Sequence, residues 1–291
     1  MKNMIKKLLA RTYYGAHQTF IAPIAKKIRI SLANRIIRKN DYYNLPIYII
    51  SFNRLEYLKS TIEWLEKYGY KNIHIIDNKS TYKPLLEYYK NCKYKIFKMK
   101  KNYGRLVFYK CWKFIFKRNL NLFILTDPDL YPIDECPNNF VEIFVKAMKQ
   151  YPEYSKVGFS LKIDDLPNDY YLKNEVIEWE SGLYKNVIHN YDGVLCYDSE
   201  IDTTFALNSP SMLMNKRNFY KAIRIGYPYQ LRHLPWYQTT KNDELSQYLD
   251  TKPNDVSNWD GNLTKEEIKQ SIKELSDRYK NKNNNEKAKK V

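Results

Sequence analysis

The stretch Pro46-Ile-Tyr-Ile-Ile-Ser-Phe-Asn-Arg54 passes from an apolar segment into a polar one. Its residues 47–50 are β-branched or aromatic, which predicts a short strand. The polar residues 51–54 predict a loop, and apolar residues spaced three and four apart over residues 55–68 predict a helix. A buried strand that leads through a polar loop into an amphipathic helix is the opening of an α/β unit.

The same alternation continues along the chain. Further strands are predicted at 73–76, 94–99 and 122–125, with helices at 84–90 and 104–118 between them. Four strands that alternate with helices within about 80 residues predict an α/β fold with a mostly parallel sheet flanked by helices. Ligands of such sheets bind at the carboxyl ends of the strands. Polar residues occupy three of these ends, at 51–54, at Asp77 and at Asp127-Pro128-Asp129.

Beyond residue 132 the pattern is less regular. Helices are predicted at 139–149 and 262–280, and strands at 156–163 and 176–179. We therefore predict one domain over residues 44–260, preceded by an arm of residues 1–43. Residues 261–291 are expected to form a helix and a flexible basic tail, because the last eleven residues are rich in Lys and Asn.

The arm is basic. Residues 1–40 contain ten Lys or Arg and no acidic residue, and their apolar positions predict two amphipathic helices. Such helices suit the surface of an anionic membrane. Packing of the arm on the domain is the alternative, and the two are compatible if part of the arm docks. The longest uncharged run, residues 12–25, has 14 residues, whereas a membrane-spanning helix needs about 20, so no transmembrane segment or signal peptide is predicted.

Charge and cysteine usage narrow the class of protein. The net charge of +17 favours nucleic acids, anionic membranes or phosphorylated ligands as partners. Nucleic acid is disfavoured, because the charge concentrates in the two terminal segments and no nucleic-acid-binding motif is present. The four cysteines are widely spaced, which predicts reduced thiols and a cytoplasmic location, with attachment to the inner face of the membrane through residues 1–40 as an addition.

The triplet Asp127-Pro128-Asp129 follows the fourth predicted strand. Two carboxylates at this spacing can share one divalent ion, and Mg²⁺ and Mn²⁺ prefer carboxylate oxygens. Such an ion stabilises the diphosphate that leaves when a sugar–phosphate bond breaks. An Asp-x-Asp triplet alone is common in loops. The interpretation as a metal site therefore depends on the position of this triplet at the end of the fourth predicted strand.

Four segments together resemble family-2-like glycosyltransferases of the GT-A fold. They are residues 46–54, Ile73-His-Ile-Ile-Asp77-Asn-Lys-Ser80, Lys101-Asn102-Tyr-Gly104-Arg105 and Leu122-Phe-Ile-Leu-Thr-Asp-Pro-Asp129, and they cover residues 45–135 in the order of that family. The resemblance implies a GT-A-like, Rossmann-like domain. It also implies a Mn²⁺- or Mg²⁺-dependent, inverting transfer of sugar from a nucleotide-sugar to a glycan or lipid-linked acceptor in cell-surface polysaccharide or glycoconjugate synthesis.

The resemblance also implies roles for individual residues. Contacts to the nucleotide-sugar are expected from Ser51, Asn53, Arg54, Asp77, Asn102, Arg105 and Asp127. Asp129 and His233 are expected to bind the metal. Ordinary turn chemistry is the alternative for the two asparagines, a helix cap is the alternative for Asp77, and a structural role is the alternative for His233.

The second half is expected to supply the general base and the acceptor site. An inverting transfer needs a carboxylate that takes the proton of the attacking hydroxyl, and Asp202 is the first choice, ahead of Asp164 and Asp165. The acceptor is expected to contact Glu178, Trp179 and Trp236. The sequence departs from the family here, since no Glu-Asp pair is recognised at the usual helix start, and the base remains a choice among these acids.

Two other functions compete with glycosyl transfer. A basic nucleic-acid-binding protein is suggested by the charge and the 28 tyrosines. A sugar-phosphate nucleotidyltransferase can share the same kind of sheet and metal-binding carboxylates. That class would carry a Gly-rich basic phosphate loop near its start, and none is visible in a chain with eight glycines.

Overall fold

The computed structural model describes residues 21–107, 110, 111, 115, 119–191, 193–210, 221–238, 243–252 and 270. Its helices are α1 (Ala22–Lys39), α2 (Leu55–Lys67), α3 (Lys83–Asn91), α4 (Phe140–Gln150), α5 (Lys173–Gly182) and α6 (Asp243–Thr251), with short 3-10 helices at Gly104–Leu106 and Leu234–Tyr237. Its strands are β1 (Ile47–Ser51), β2 (Ile73–Asp77), β3 (Lys95–Lys98), β4 (Phe123–Thr126), β5 (Leu130–Pro132), β6 (Lys156–Leu161), β7 (Val187–Tyr191), β8 (Val194–Glu200), β9 (Ala206–Asn208) and β10 (Lys221–His233).

The ten strands of the described residues join one mixed sheet. Its order is β3-β2-β1-β4-β9-β6-β10-β8-β7, and β5 pairs with β10 at the side of this path. The strands of the first half, β3-β2-β1-β4, are parallel to one another, and β6 is parallel to β10. The pairs that involve β5, β7, β8 and β9 are antiparallel. The predicted α/β fold with a mostly parallel sheet flanked by helices is confirmed at this level.

Alternate residues of the parallel strands face two cores. Ile47 and Ile49 of β1 join the larger core, which also includes residues of α1 to α5. Tyr48 and Ile50 face the opposite side, where they belong to a second core together with Val107, Phe123 and Leu125. Because side chains alternate across a strand, the near-continuous apolar runs in the sequence correspond to strands that are buried on both faces.

The strand order reverses direction at β1, which lies between β2 and β4. The register pairs Ser51 with Asp77 and Ile49 with Thr126, so the three strands end at the same edge of the sheet. In open α/β sheets the crevice at such a reversal is where ligands bind. The polar residues predicted to form a site are therefore neighbours in space.

Helix α1 is the described part of the N-terminal arm, and it docks on the domain. It packs against α4, with Ala33 and Ile36 buried, and Nε of Arg29 donates to Oγ of Ser209 at 3.0 Å. The apolar residues of this predicted amphipathic helix are only partly buried, because Ile24 and Ile28 remain exposed. The predicted first helix, within residues 1–20, and the predicted tail lie outside the described residues.

One predicted element is of the wrong type. Residues 176–179, predicted as a strand, belong to helix α5. Val176 and Glu180, one helical turn apart, are both buried, whereas Glu178 and Trp179 between them are exposed. The run from Val176 to Trp179 spans only about one helical turn, so its pattern alone does not distinguish a strand from a helix. The second buried position of this face, Glu180, lies outside the run and is charged.

Within the described residues, none of the helices combines the length and the apolar character needed to cross a membrane. All four cysteines are free thiols.

Candidate functional site

The Asp127-Pro128-Asp129 turn is held from below by helix α2. Oγ1 of Thr61 donates to the carbonyl oxygens of Pro128 and Leu130, and the indole Nε1 of Trp64 donates to the Leu130 carbonyl at 3.1 Å. Both donors are buried. The two carboxylates therefore project from a backbone whose carbonyl groups are fixed by the helix that follows β1.

Asp129 lies beside His233. The end of β10 pairs with β5, which places His233 opposite Leu130, and Nε2 of His233 is 3.5 Å from Oδ2 of Asp129. The backbone N–H of Leu234 donates to the Asp129 carbonyl at 2.8 Å. Burial alone would raise the pKa of the Asp129 carboxyl, but the nearby His233 and Arg54 outweigh it and hold that pKa below its ordinary value.

The side chains of Asp129 and His233 together suit a hard divalent cation as ligands. Oδ1 of Asp129 is buried and has no hydrogen-bond partner, although the side chain as a whole is 19% exposed. A buried carboxylate oxygen without a partner is costly, and a bound cation would satisfy it. Carboxylate and imidazole are both ligands that Mn²⁺ accepts. No group of three or more His, Cys, Asp or Glu arranged for a metal occurs in the part of the chain that the structure describes, so the fit rests on Asp129 and His233.

Asp127 is tied to the loop between β8 and β9. Oγ1 of Thr203 donates to Oδ2 of Asp127, and the backbone N–H of Asp127 donates to the Thr203 carbonyl at 3.0 Å. Burial and the neighbouring Asp129 charge raise the pKa of Asp127 well above its ordinary value. Asp202, the predicted base, is exposed on the same loop, and its charge adds to the rise, so the two acids lie close together.

A buried lysine supports this loop from the opposite side. Nζ of Lys156, on β6, donates to the carbonyl oxygens of Ile201 at 2.8 Å and of Asp202 at 3.1 Å. Burial lowers the pKa of Lys156 to about 7, and the Asp202 charge opposes that shift. Sequence reasoning missed this residue, although a lysine at the start of an otherwise apolar strand is an available signal.

Arg54 is almost fully buried at the end of the loop after β1. Its guanidinium carbon lies 4.7 Å from the ring centre of Tyr57 and 4.1 Å from that of Tyr248, on helix α6. Its positive charge contributes to the lowered pKa of Asp129. The structure thus brings together Arg54, Asp129 and His233, three residues that the sequence predicted for the site.

The other residues predicted to contact the nucleotide make hydrogen bonds within the protein, around the ends of β1 and β2. Ser51 and Asp77 are buried and both accept a hydrogen bond from the Tyr89 hydroxyl, at 3.1 and 3.3 Å. Oδ1 of Asn102 accepts from Nδ2 of Asn78 at 3.0 Å, which joins the 102–104 turn to the end of β2. The structure therefore shows these side chains in turn and strand-end hydrogen bonds, and their contact with a nucleotide stays a prediction.

Asn53 and Arg105 complete that set. Asn53 is fully buried at a positive φ of 51°, and its Oδ1 accepts from the backbone N–H groups of Thr81 and Tyr82 at 2.7 and 2.9 Å. These bonds are the turn chemistry that was the alternative for Asn53. Arg105 lies in the 3-10 helix Gly104–Leu106, and its side chain is outside the described part of the chain.

The predicted acceptor contacts divide into accessible and buried residues. Glu178 and Trp179 are exposed on α5, and Trp179 is 49% exposed. Trp236 is 1% exposed and packs edge-on against His233, with 4.8 Å between ring centres. Its ring therefore supports His233, and it offers no open face to an acceptor sugar in this structure.

The two other acids considered as the general base, Asp164 and Asp165, are engaged with cations. Asp165 accepts from Nε of Arg232 at 2.8 Å and from the Tyr237 hydroxyl at 2.5 Å. Asp164 pairs with Lys162 at 2.7 Å, and this hydrogen bond lowers its pKa. Among the three acids considered as base, Asp202 is the one whose charge acts on the Asp127 carboxylate.

Comparison with known proteins adds no assignment: none of the known protein-family models matches this chain, and none of the curated proteins matches it.

Proposed function

We propose that this chain is a metal-dependent glycosyltransferase of GT-A-like fold, which moves a sugar from a nucleotide-sugar to a glycan or lipid-linked acceptor. The observation that carries the proposal is the arrangement at the end of β4. A carboxylate with an unsatisfied buried oxygen, an imidazole and a buried guanidinium meet there, at the point where the strand order reverses. Carboxylate, imidazole and guanidinium together suit a metal-bound diphosphate.

Each residue has a distinct part in the proposed reaction. Asp129 and His233 would hold Mn²⁺ or Mg²⁺, which, when bound, neutralises the charge of the diphosphate leaving group. The Arg54 guanidinium would bind phosphate oxygens, since its planar N–H groups match their geometry. Asp127, kept by Thr203 at the same edge, would orient the ribose end of the donor.

Asp202 is the proposed general base. Its carboxylate is exposed, on a loop that Lys156 and Thr203 fix next to Asp127. It would take the proton from the acceptor hydroxyl as that oxygen attacks the anomeric carbon and the sugar–phosphate bond breaks. An attack from the side opposite the leaving group inverts the anomeric centre. If the product keeps the anomeric configuration of the donor, this role of Asp202 is wrong.

The decisive experiment is a screen of nucleotide-sugars for metal-dependent turnover. We expect one class of donor, such as UDP- or GDP-sugars, to be hydrolysed slowly with Mn²⁺ and not with EDTA, because water can replace a missing acceptor. Release of pyrophosphate from a nucleoside triphosphate and a sugar phosphate would instead identify a nucleotidyltransferase. Tight, salt-dependent binding of DNA or RNA without any turnover would favour the nucleic-acid-binding alternative.

A membrane surface is the proposed partner of helix α1. Ile24 and Ile28 are 58% and 47% exposed, and the exposed Lys26 and Lys27 lie beside them. A groove of about 520 Å³ between α1 and α4 has further cationic side chains in its lining, Arg38 and Lys149. Apolar side chains flanked by cations suit the boundary between headgroups and acyl chains of an anionic bilayer.

Substitution of both isoleucines tests this surface. We expect Ile24→Ser/Ile28→Ser to weaken binding to vesicles that contain an anionic lipid by about tenfold or more, because each buried apolar side chain contributes about 1.5–3 kcal/mol. Co-sedimentation with vesicles measures the effect. Val187→Ser is the control, since Val187 is 55% exposed on strand β7, at the edge of the sheet. Equal binding of the double variant and the control would contradict the membrane role of α1.

A further inference from the structure

Helix α6 lies over the loop that joins β1 to α2. Three of its side chains contact that loop: Glu244, Tyr248 and Thr251. Residues 53–56 are thus fixed by a segment that lies between 188 and 198 positions further along the chain. This loop carries Arg54, the guanidinium of the proposed diphosphate site.

Glu244 provides the cap for helix α2. Its Oε2 accepts from the backbone N–H groups of Leu55 and Glu56, at 2.7 and 2.9 Å, and the side chain is 5% exposed. The N-cap position itself, Arg54, makes no capping hydrogen bond with its own side chain. The first N–H groups of a helix need an acceptor, which a neighbouring residue usually supplies. Here a carboxylate from α6 supplies it, since the guanidinium of Arg54 has only N–H donors and cannot accept from a backbone N–H group.

Tyr248 and Thr251 complete the contact. Nδ2 of Asn53 donates to Oγ1 of Thr251 at 2.8 Å, which ties the residue before Arg54 to α6. The Tyr248 ring covers one side of the guanidinium, and Tyr57 lies near it from α2. A guanidinium enclosed by two rings keeps its planar orientation while its N–H groups stay free to bind.

Arg54 has unfilled hydrogen-bonding capacity. It is 5% exposed, and among the described residues its buried Nε has no hydrogen-bond partner. Leaving a buried donor of a charged group unsatisfied is unfavourable. Oδ1 of Asp129, at the same proposed site, also has no hydrogen-bond partner among the described residues. An anion held between Arg54 and a cation on Asp129 would satisfy both groups.

We infer that α6 positions Arg54 for the diphosphate of the donor, with Tyr248 and Glu244 as positioning residues that do not touch the substrate. The inference rests on the proposed function. Glu244 fixes the start of α2, Thr251 fixes Asn53, and Tyr248 holds the plane of the guanidinium. Loss of the Tyr248 ring therefore weakens recognition of the phosphates and leaves recognition of the nucleoside unchanged.

The test compares two substitutions at one position. Tyr248→Phe keeps an aromatic face over Arg54, whereas Tyr248→Leu keeps bulk and removes that face. Calorimetry with Mn²⁺ would measure binding of the nucleoside diphosphate whose base the donor screen identifies, and of the same nucleoside without phosphates. We expect Tyr248→Leu to weaken diphosphate binding about 3- to 30-fold and nucleoside binding less than about twofold, as a cation–π contact of this kind allows. Tyr248→Phe should stay close to the unmodified protein.

The outcomes separate this inference from the proposed function. If the unmodified protein binds no nucleoside diphosphate with Mn²⁺, the proposed function fails and the inference fails with it. If it binds one and Tyr248→Leu binds it equally well, the inference alone is overturned. Equal losses for diphosphate and nucleoside would mean that Tyr248 is merely structural, which also overturns it. Tyr227→Leu, which removes a ring that is 61% exposed, controls for a general effect of losing a tyrosine.

Discussion

Asp129→Asn is expected to lower metal-dependent turnover in the proposed reaction by about 10²- to 10³-fold, the effect of losing a group that stabilises charge in the transition state. The substitution replaces a negative oxygen by a neutral amide beside His233, and a hard cation binds an amide far more weakly than a carboxylate. The fold should persist, because the size of the side chain is kept and the Asp129 carbonyl still accepts from Leu234.

Initial rates across a Mn²⁺ titration measure this effect. The variant should stay inactive at metal concentrations that saturate the unmodified protein, and its thermal unfolding should show an unchanged cooperative transition. Asp134→Asn is the control, because Asp134 is an exposed acid a few residues further along the chain. Turnover within about tenfold of that of the unmodified protein would contradict the proposed role of Asp129 as a metal ligand.

Arg224→Met is expected to destabilise the fold by about 3–5 kcal/mol, because it leaves the carboxylate of Glu180 buried without its partner. The two side chains are 4% and 2% exposed, and Nη1 of Arg224 lies 2.8 Å from Oε2 of Glu180. Urea denaturation measures the change in the free energy of unfolding. The double variant Glu180→Leu/Arg224→Met should recover most of the loss, because it replaces both charges by apolar groups.

The loss in Arg224→Met should also depend on pH. Burial raises the pKa of Glu180 in the folded protein, and Arg224 opposes that rise. Without Arg224, the pKa of Glu180 lies further above its value in the unfolded state. The folded state then keeps its proton up to a higher pH than the unfolded state does, so the free energy of unfolding falls as pH rises. The difference from the unmodified protein should be smaller at pH 5 than at pH 8. A difference that is the same at both values would mean that Glu180 is not the group left uncompensated.

Local sequence patterns were sufficient to predict the first half of the sheet. The apolar runs at 47–50, 73–76 and 122–125 all form strands, because strands that are buried on both faces need apolar residues at every position. Since parallel strands end at a common edge, the polar residues after them were expected to meet. Arg54 and Asp129 do so, and His233 joins them through the pairing of β10 with β5.

The second half was less predictable for physical reasons. Glu180 is a charged residue that the fold buries with Arg224 as its partner, and the local sequence pattern did not indicate this burial. Glu244 and Tyr248 act on a loop that is far away in sequence, so no local spacing relates them to Arg54. Trp236 was expected to be open to an acceptor, and its burial depends on the distant pairing that brings His233 to Asp129.

The capping of α2 by Glu244 also affects the order in which the nascent chain folds during synthesis. The cap joins residues that are 189 positions apart. A ribosome that adds about 5–20 residues per second needs about 10–40 s to travel that distance. During this interval the nascent first half can pair its parallel strands, while the start of α2 lacks its acceptor and Arg54 lacks one of its two rings. The loop at the proposed donor site therefore acquires its final form only after all the described strands of the sheet have been synthesised.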